Sequence, residues 1–189
     1  MLSTQVGDVT VSIVLWPALV VFATLFALRI IELIVLRKSF IRAMLSGNYN
    51  KIIKKGKRLL KYIRPTANRG YSFSVQEMNS LLLNVAVAYL ATSDKEHFLE
   101  HITAMNQLEN PKEFWLAIFW LREGDMDAAE LHYNNIDCYN EETKTSRIYF
   151  ESLRDYRQGD CEAAKEKMQS IYPSLHYPLL KSYADEILN

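Results

Sequence analysis

The chain has 189 residues, 22 basic and 22 acidic side chains, and 49% hydrophobic residues, which is one domain of ordinary size with room for a core. Its two cysteines, Cys138 and Cys161, make neither a disulfide framework nor a zinc pattern, and read as reduced thiols. The zero net charge conceals two blocks: residues 37–70 hold eleven Lys or Arg and no acid, whereas residues 71–189 hold ten basic against twenty acidic side chains. Such asymmetry means that the two regions face different surroundings.

From Val9 to Leu28 the chain reads VTVSIVLWPALVVFATLFAL, 20 residues without a charge. A helix of that length spans roughly 30 Å, the thickness of a bilayer's hydrocarbon core. Apolar character continues to Leu36, interrupted by Arg29 and Glu32, and no polar stripe runs along it. This predicts a transmembrane helix over 9–36. The preceding MLSTQVGD holds no Lys or Arg, and no small-x-small cleavage site follows the run, so a permanent anchor is expected rather than a signal peptide. Arg37, Lys38 and Arg42 follow the span and Asp8 precedes it, which predicts residues 1–8 outside and the rest of the chain in the cytoplasm. Arg29 and Glu32 are one turn apart, placed either to pair at the inner edge of the bilayer or to snorkel to its headgroups. Pro17 lies in the first half of the span, where it can kink the helix.

The basic block comes next. In KIIKKGKRLLKYIR, the side chains of Ile52, Ile53, Leu59, Leu60 and Ile63 share about 120 degrees of a helix. The remaining circumference carries Lys51, Lys54, Lys55, Lys57, Arg58, Lys61 and Arg64 without one acid, where an ordinary solvated face mixes both signs. Close behind the predicted span, such a helix is expected to lie against anionic headgroups. The interleaved aromatics that nucleic-acid binding wants are missing, so no nucleic-acid partner is expected.

Beyond residue 71 the signals are those of successive helices. Ser74 with Glu77, and Ser93 with Glu96, each fit a capping box, and Asn110-Pro111 fits a helix start. HFLEH, His97 to His101, matches the inverted zinc-protease pattern, which sets two histidines one turn apart beside a glutamate base. No third ligand is identifiable downstream, so His97 and His101 read as ordinary surface histidines rather than ligands, and Glu100 as no catalytic base. No catalytic residue, metal or cofactor is expected; a membrane zinc peptidase is the alternative from another functional class. In FWLAIFW, Phe114, Ile118 and Leu121 mark one face and Trp115 and Phe119 the next, as in a helix buried on two sides.

One frame is then written repeatedly. EGDMDAAELHYNNI begins at Glu123 and QGDCEAAKEKMQSI at Gln158, 35 residues later. Taking Gly124 and Gly159 as landmarks, Asp125 and Asp160 follow, Ala129 and Ala164 come five later, and Ile136 and Ile171 twelve later. Ala117 and Ser152 precede them by seven. A third copy surrounds Gly47, with Asn48, Ile52 and Leu59, and a fourth surrounds Ser93, with Asp94, Phe98, Met105 and Ala86. A glycine tolerates the left-handed conformation that ends a helix, the Asp or Asn after it caps the next one, and small residues let two helix backbones approach. The frame predicts helical hairpins that must stack to bury their apolar faces. Pro173 closes the last one, and HYPLLKSYADEIL supplies a terminal amphipathic helix that caps the stack.

This frame resembles the tetratricopeptide repeat, a helix–turn–helix unit of 34 residues, over most of the chain from about Phe40 to Tyr172. The spacings between landmarks, 46, 31 and 35, depart from that period, and Phe40 replaces a small residue. A generic antiparallel bundle is the other architecture compatible with the pattern. The expected fold is all-α: a transmembrane helix over 9–36, a basic juxtamembrane region and first hairpin over 37–70, and an acidic repeat domain over 71–189. The resemblance implies a concave groove lined by the first helices of successive pairs, in which Arg122 and Arg157 occupy equivalent positions with Leu121 and Tyr156 beside them. It implies a protein partner, and hence a membrane-anchored scaffold or adaptor. A small accessory subunit packed within a membrane complex is the alternative in the same class.

Overall fold

The computed structural model describes residues 5–105, 110–137 and 139–189, with side chains described from Trp16 onward except at Asn110. Those residues are all-helical, without a strand. Helix α1 covers Gln5–Leu45, 41 residues in one piece, with Pro17 inside it. At 1.5 Å per residue it is about 60 Å long, twice the thickness of a hydrocarbon core. Over Trp16–Leu45 it is long and apolar enough to cross a membrane. Phe22, Leu25, Phe26 and Leu28 are all exposed, and among the described side chains of α1 those buried in the core are Leu36, Phe40 and Ala43.

The remaining helices are α2 (Tyr49–Ala67), α3 (Ser72–Ala91), α4 (Lys95–Thr103), α5 (Asn110–Glu123), α6 (Met126–Asn134), α7 (Glu141–Gln158), α8 (Cys161–Ile171) and α9 (Pro178–Leu188), with a 3-10 turn at Tyr172–Ser174. They pair as α1/α2, α3/α4, α5/α6 and α7/α8, and the four connections are built alike. The landmark residue has a left-handed backbone in each: Gly47 at φ 61°, Ser93 at 62°, Gly124 at 88° and Gly159 at 91°. Its N–H bonds three residues back, and the next N–H bonds five residues back, from Asn48 to Ala43, Asp94 to Tyr89, Asp125 to Trp120 and Asp160 to Asp155, all at 2.9–3.0 Å. That is the Schellman closure, and it satisfies carbonyls that a helix end otherwise leaves without donors. The same four residues then cap the following helix, their side chains accepting from the amides of Lys51, His97, Ala128 and Ala163.

The positions flanking each turn are core. Ile52, Phe98, Ala129 and Ala164 five residues on, and Leu59, Met105, Ile136 and Ile171 twelve on, are all buried. So are Phe40, Ala86, Ala117 and Ser152 seven before. Ser152 goes further, because its hydroxyl donates to the Ala164 carbonyl at 2.6 Å and ties α7 to α8.

Two expected caps are formed differently. Helix α3 starts at Ser72, two residues before Ser74, and no side chain caps it. Glu77 is drawn to Arg37 of α1, a charge-assisted bond that outweighs a capping box. Ser93 is the left-handed residue and Asp94 is the cap. A capping box does form at Asn140 and Thr143, at the start of α7.

Hairpins join by packing of helices from neighbouring pairs: α2 lies along α3, and α5 along α7. Gly56 is the tightest of these contacts. A β-carbon there would stand 2.3 Å from a Val85 methyl and 3.2 Å from the Phe40 ring, so α1, α2 and α3 meet at a point that admits only hydrogen.

Candidate interaction surfaces

The four expected groove residues lie at the ends of α5 and α7, and they line one cavity. It measures about 220 Å³ and is bounded by Leu121, Arg122, Leu153, Tyr156 and Arg157 together with Tyr183, Glu186 and Ile187 of α9. Leu121 belongs to the floor at 2% exposure, while Tyr156 is exposed. The Arg157 guanidinium donates to the Arg122 backbone carbonyl at 3.0 Å. Arg122 points the other way: it lies over the Tyr183 ring, 3.7 Å from the centroid, and bonds Glu186 at 3.3 Å. Equivalent places in the repeated frame thus carry unequal loads.

That difference comes from α9. Beyond capping α8, this helix runs beside α5 in the same direction, with Tyr177 against Trp115 near their starts and Tyr183 and Glu186 against Arg122 near their ends. The buried Tyr149 hydroxyl of α7 donates to the Leu180 carbonyl at 2.9 Å. Desolvation drives that phenol far above the ordinary tyrosine range, so it remains a donor at any working pH. At the start of α9 a larger cavity of about 570 Å³ opens between Leu83, Phe114, Trp115, Tyr149, Tyr177 and the polar start of α7 from Asn140 to Ser146. The seat of α9 has no signal in the sequence, since its apolar positions fit any complementary face.

The histidines expected at the surface are instead committed to the fold, His101 buried and His97 half-buried. His97 Nδ1 lies 2.9 Å from both Asp94 carboxylate oxygens, and His101 Nδ1 donates to the His97 carbonyl at 2.9 Å. The Tyr89 ring packs on both, at 4.9 and 5.2 Å, with its hydroxyl accepting from Lys57 at 3.1 Å. Hydrogen bonding from His97 holds the Asp94 carboxyl below its usual range, and burial pulls the His101 imidazole below the ordinary histidine value. Among the described residues no three His, Cys, Asp or Glu side chains are grouped to hold a metal. A third histidine, His132, sits 2.8 Å from Glu113, an acid buried within the α5/α6 hairpin.

The chain was compared with protein-family models, curated proteins and solved structures. It matches none of them.

The basic helix α2 turns back along α1. Arg58 donates to Glu32 at 3.0 Å, and Arg29 reaches both Glu32 at 3.1 Å and the Tyr62 hydroxyl at 3.5 Å. The Arg29–Glu32 pair is thus part of a four-residue network that joins the two helices. Lys57 and Arg58 are engaged within the fold, whereas Lys51, Lys54, Lys61 and Arg64 are exposed and make no ion pair among the described residues. Lys55 is half-buried.

Proposed function

We propose that this protein is a single-pass, membrane-anchored scaffold whose tetratricopeptide-like hairpins recruit or position a partner protein at the cytoplasmic face. One observation carries the reading: a helix of spanning length runs without a break into the first of four hairpins built on the same turn. The apolar run belongs in a bilayer, because a soluble fold would not leave so many large side chains on one helix in water. Eleven basic residues over 37–70 favour a cytoplasmic position for everything after the span. Helical hairpins in series, with two cavities beside their last helices, suit recognition of a protein segment. Arg157 and Tyr156 supply an exposed fork and ring for a carboxylate or a backbone carbonyl.

Two measurements test this reading. Thr4→Cys and Asn140→Cys, each in a background lacking the native cysteines, are labelled from outside intact cells with a membrane-impermeant maleimide. Labelling of the first alone is expected; labelling of the second alone overturns the orientation. Cross-linked membranes are then solubilised and the protein is captured from them. Tyr156→Ala with Arg157→Ala is expected to lose a protein that the wild type retains, and undiminished capture removes this surface from the proposal.

A further inference from the structure

We infer that the turn joining α2 to α3 is a second membrane contact, seated in the headgroup region of an anionic bilayer beside the span. The inference rests on the proposed insertion of α1. Because α2 is antiparallel to α1, with Arg58 at Glu32 and Tyr62 at Arg29, its carboxyl end travels towards the span. Five more residues, 63–67, continue past Tyr62. They advance the turn about 7 Å further along the α2 axis. The turn therefore lies about 7 Å past the level of Arg29, alongside the last residues of the charge-free run that ends at Leu28.

What the turn carries matches that position. Arg64 and Arg69 are exposed, with no ion pair among the described residues, and the acids that flank them along the chain, Glu32 and Glu77, are held by Arg58 and Arg37. Tyr71 and Phe73 are 61% and 74% exposed. A single aromatic in water is ordinary. Two of them at one turn, beside two uncompensated arginines and level with the end of an apolar helix, make the combination that the membrane interface selects. The opposite end of α2 has no such role. Lys51 and Lys54 are ten or more residues from Arg64, at least about 15 Å along the helix, and beyond a Debye length from the headgroups. A span alone leaves the hairpins free to rotate about its axis; a second contact fixes which way they face.

The full-length chain in lipid vesicles tests this directly. Cysteine replaces Phe22, Ser72 or Tyr139 singly, in a chain with Cys138→Ser and Cys161→Ser, and carries an environment-sensitive fluorophore. The vesicles combine phosphatidylcholine with phosphatidylglycerol and contain a lipid-borne quencher. Quenching at 22 and at 72 is expected, at least twofold stronger at each than at 139. Arg64→Gln with Arg69→Gln, or Tyr71→Ser with Phe73→Ser, reduces it at 72 alone, whereas Lys51→Gln with Lys54→Gln leaves it unchanged. Quenching at 22 with none beyond the 139 level at 72 overturns the second contact and spares the span. No quenching at 22 overturns both. Equal quenching at 72 in phosphatidylcholine alone overturns the requirement for anionic lipid.

Discussion

Arg122 and Tyr183 meet face on, guanidinium to ring, 3.7 Å from the centroid, and through this contact α5 holds the last helix of the chain. Arg157, its counterpart 35 residues later, touches only a backbone carbonyl. Arg122→Ala is therefore expected to cost about 1–2 kcal/mol, from a partly desolvated cation–π contact with a modest ion pair beside it. Arg157→Ala is expected to stay within about 0.5 kcal/mol of wild type. Thermal melts in detergent, with proteolysis between α8 and α9 as a local readout, separate the two. Equal losses would remove α9 as the cause.

The turn landmarks respond to substitution with opposite signs. At Gly159 a β-carbon meets nothing within 4 Å, so Gly159→Ala isolates the cost of a left-handed backbone, about 1 kcal/mol. Ser93 already bears that cost at φ 62°. Ser93→Gly is expected to be neutral or to stabilise by up to about 1 kcal/mol, after the added freedom of the unfolded chain is deducted. A melt that places Ser93→Gly well below wild type contradicts this account of the turn.

Gly56→Ala tests packing instead. Alanine favours an α-helix by about 1 kcal/mol over glycine, so an unobstructed site would gain stability. Here the new methyl collides with Val85 and crowds Phe40, and a net loss of about 1–3 kcal/mol is expected. Adding Val85→Ala relieves the clash and should restore part of the loss, as a double-mutant cycle would show.

His101 makes stability depend on pH. Burial lowers its folded pKa below the ordinary value of 6.5, so the unfolded chain binds a proton that the folded chain declines. This contribution is whole above about pH 6.5, shrinks as the pH falls below it, and stops shrinking below the folded pKa. Melting temperature in His101→Gln should fall less steeply from pH 7 to pH 5 than in wild type. Parallel slopes would assign the dependence to other groups.

Ser152 reports on the α7/α8 contact. With its hydroxyl donating to Ala164 in a fully buried contact, Ser152→Ala is expected to cost about 1 kcal/mol. Ser152→Leu, which must force α7 from α8, is expected to cost several times more and to lower helicity in circular dichroism.

By itself the sequence determined the turns of the hairpins and the apolar helix that leads into them. The reason is local: a left-handed residue, an Asp or Asn cap and small residues at fixed offsets act over a few positions, and nothing distant competes with them. Gly47, Gly124 and Gly159 announce their turns, and even Ser93, without a glycine, keeps the frame through Asp94 and Phe98. Where a distant charge did compete, local reasoning failed, as at Ser74, whose expected partner Glu77 pairs with Arg37. Only the tertiary structure decided where α9 lies and which basic residues remain outward. Surface positions such as Arg122 and Arg157 satisfy the same helical pattern in water or against another helix, so the pattern cannot tell them apart. Likewise Lys51 and Arg64 look alike along the chain, and it is the antiparallel return of α2, read from Arg58 against Glu32, that puts Arg64 near the charge-free run of α1 and Lys51 far from it.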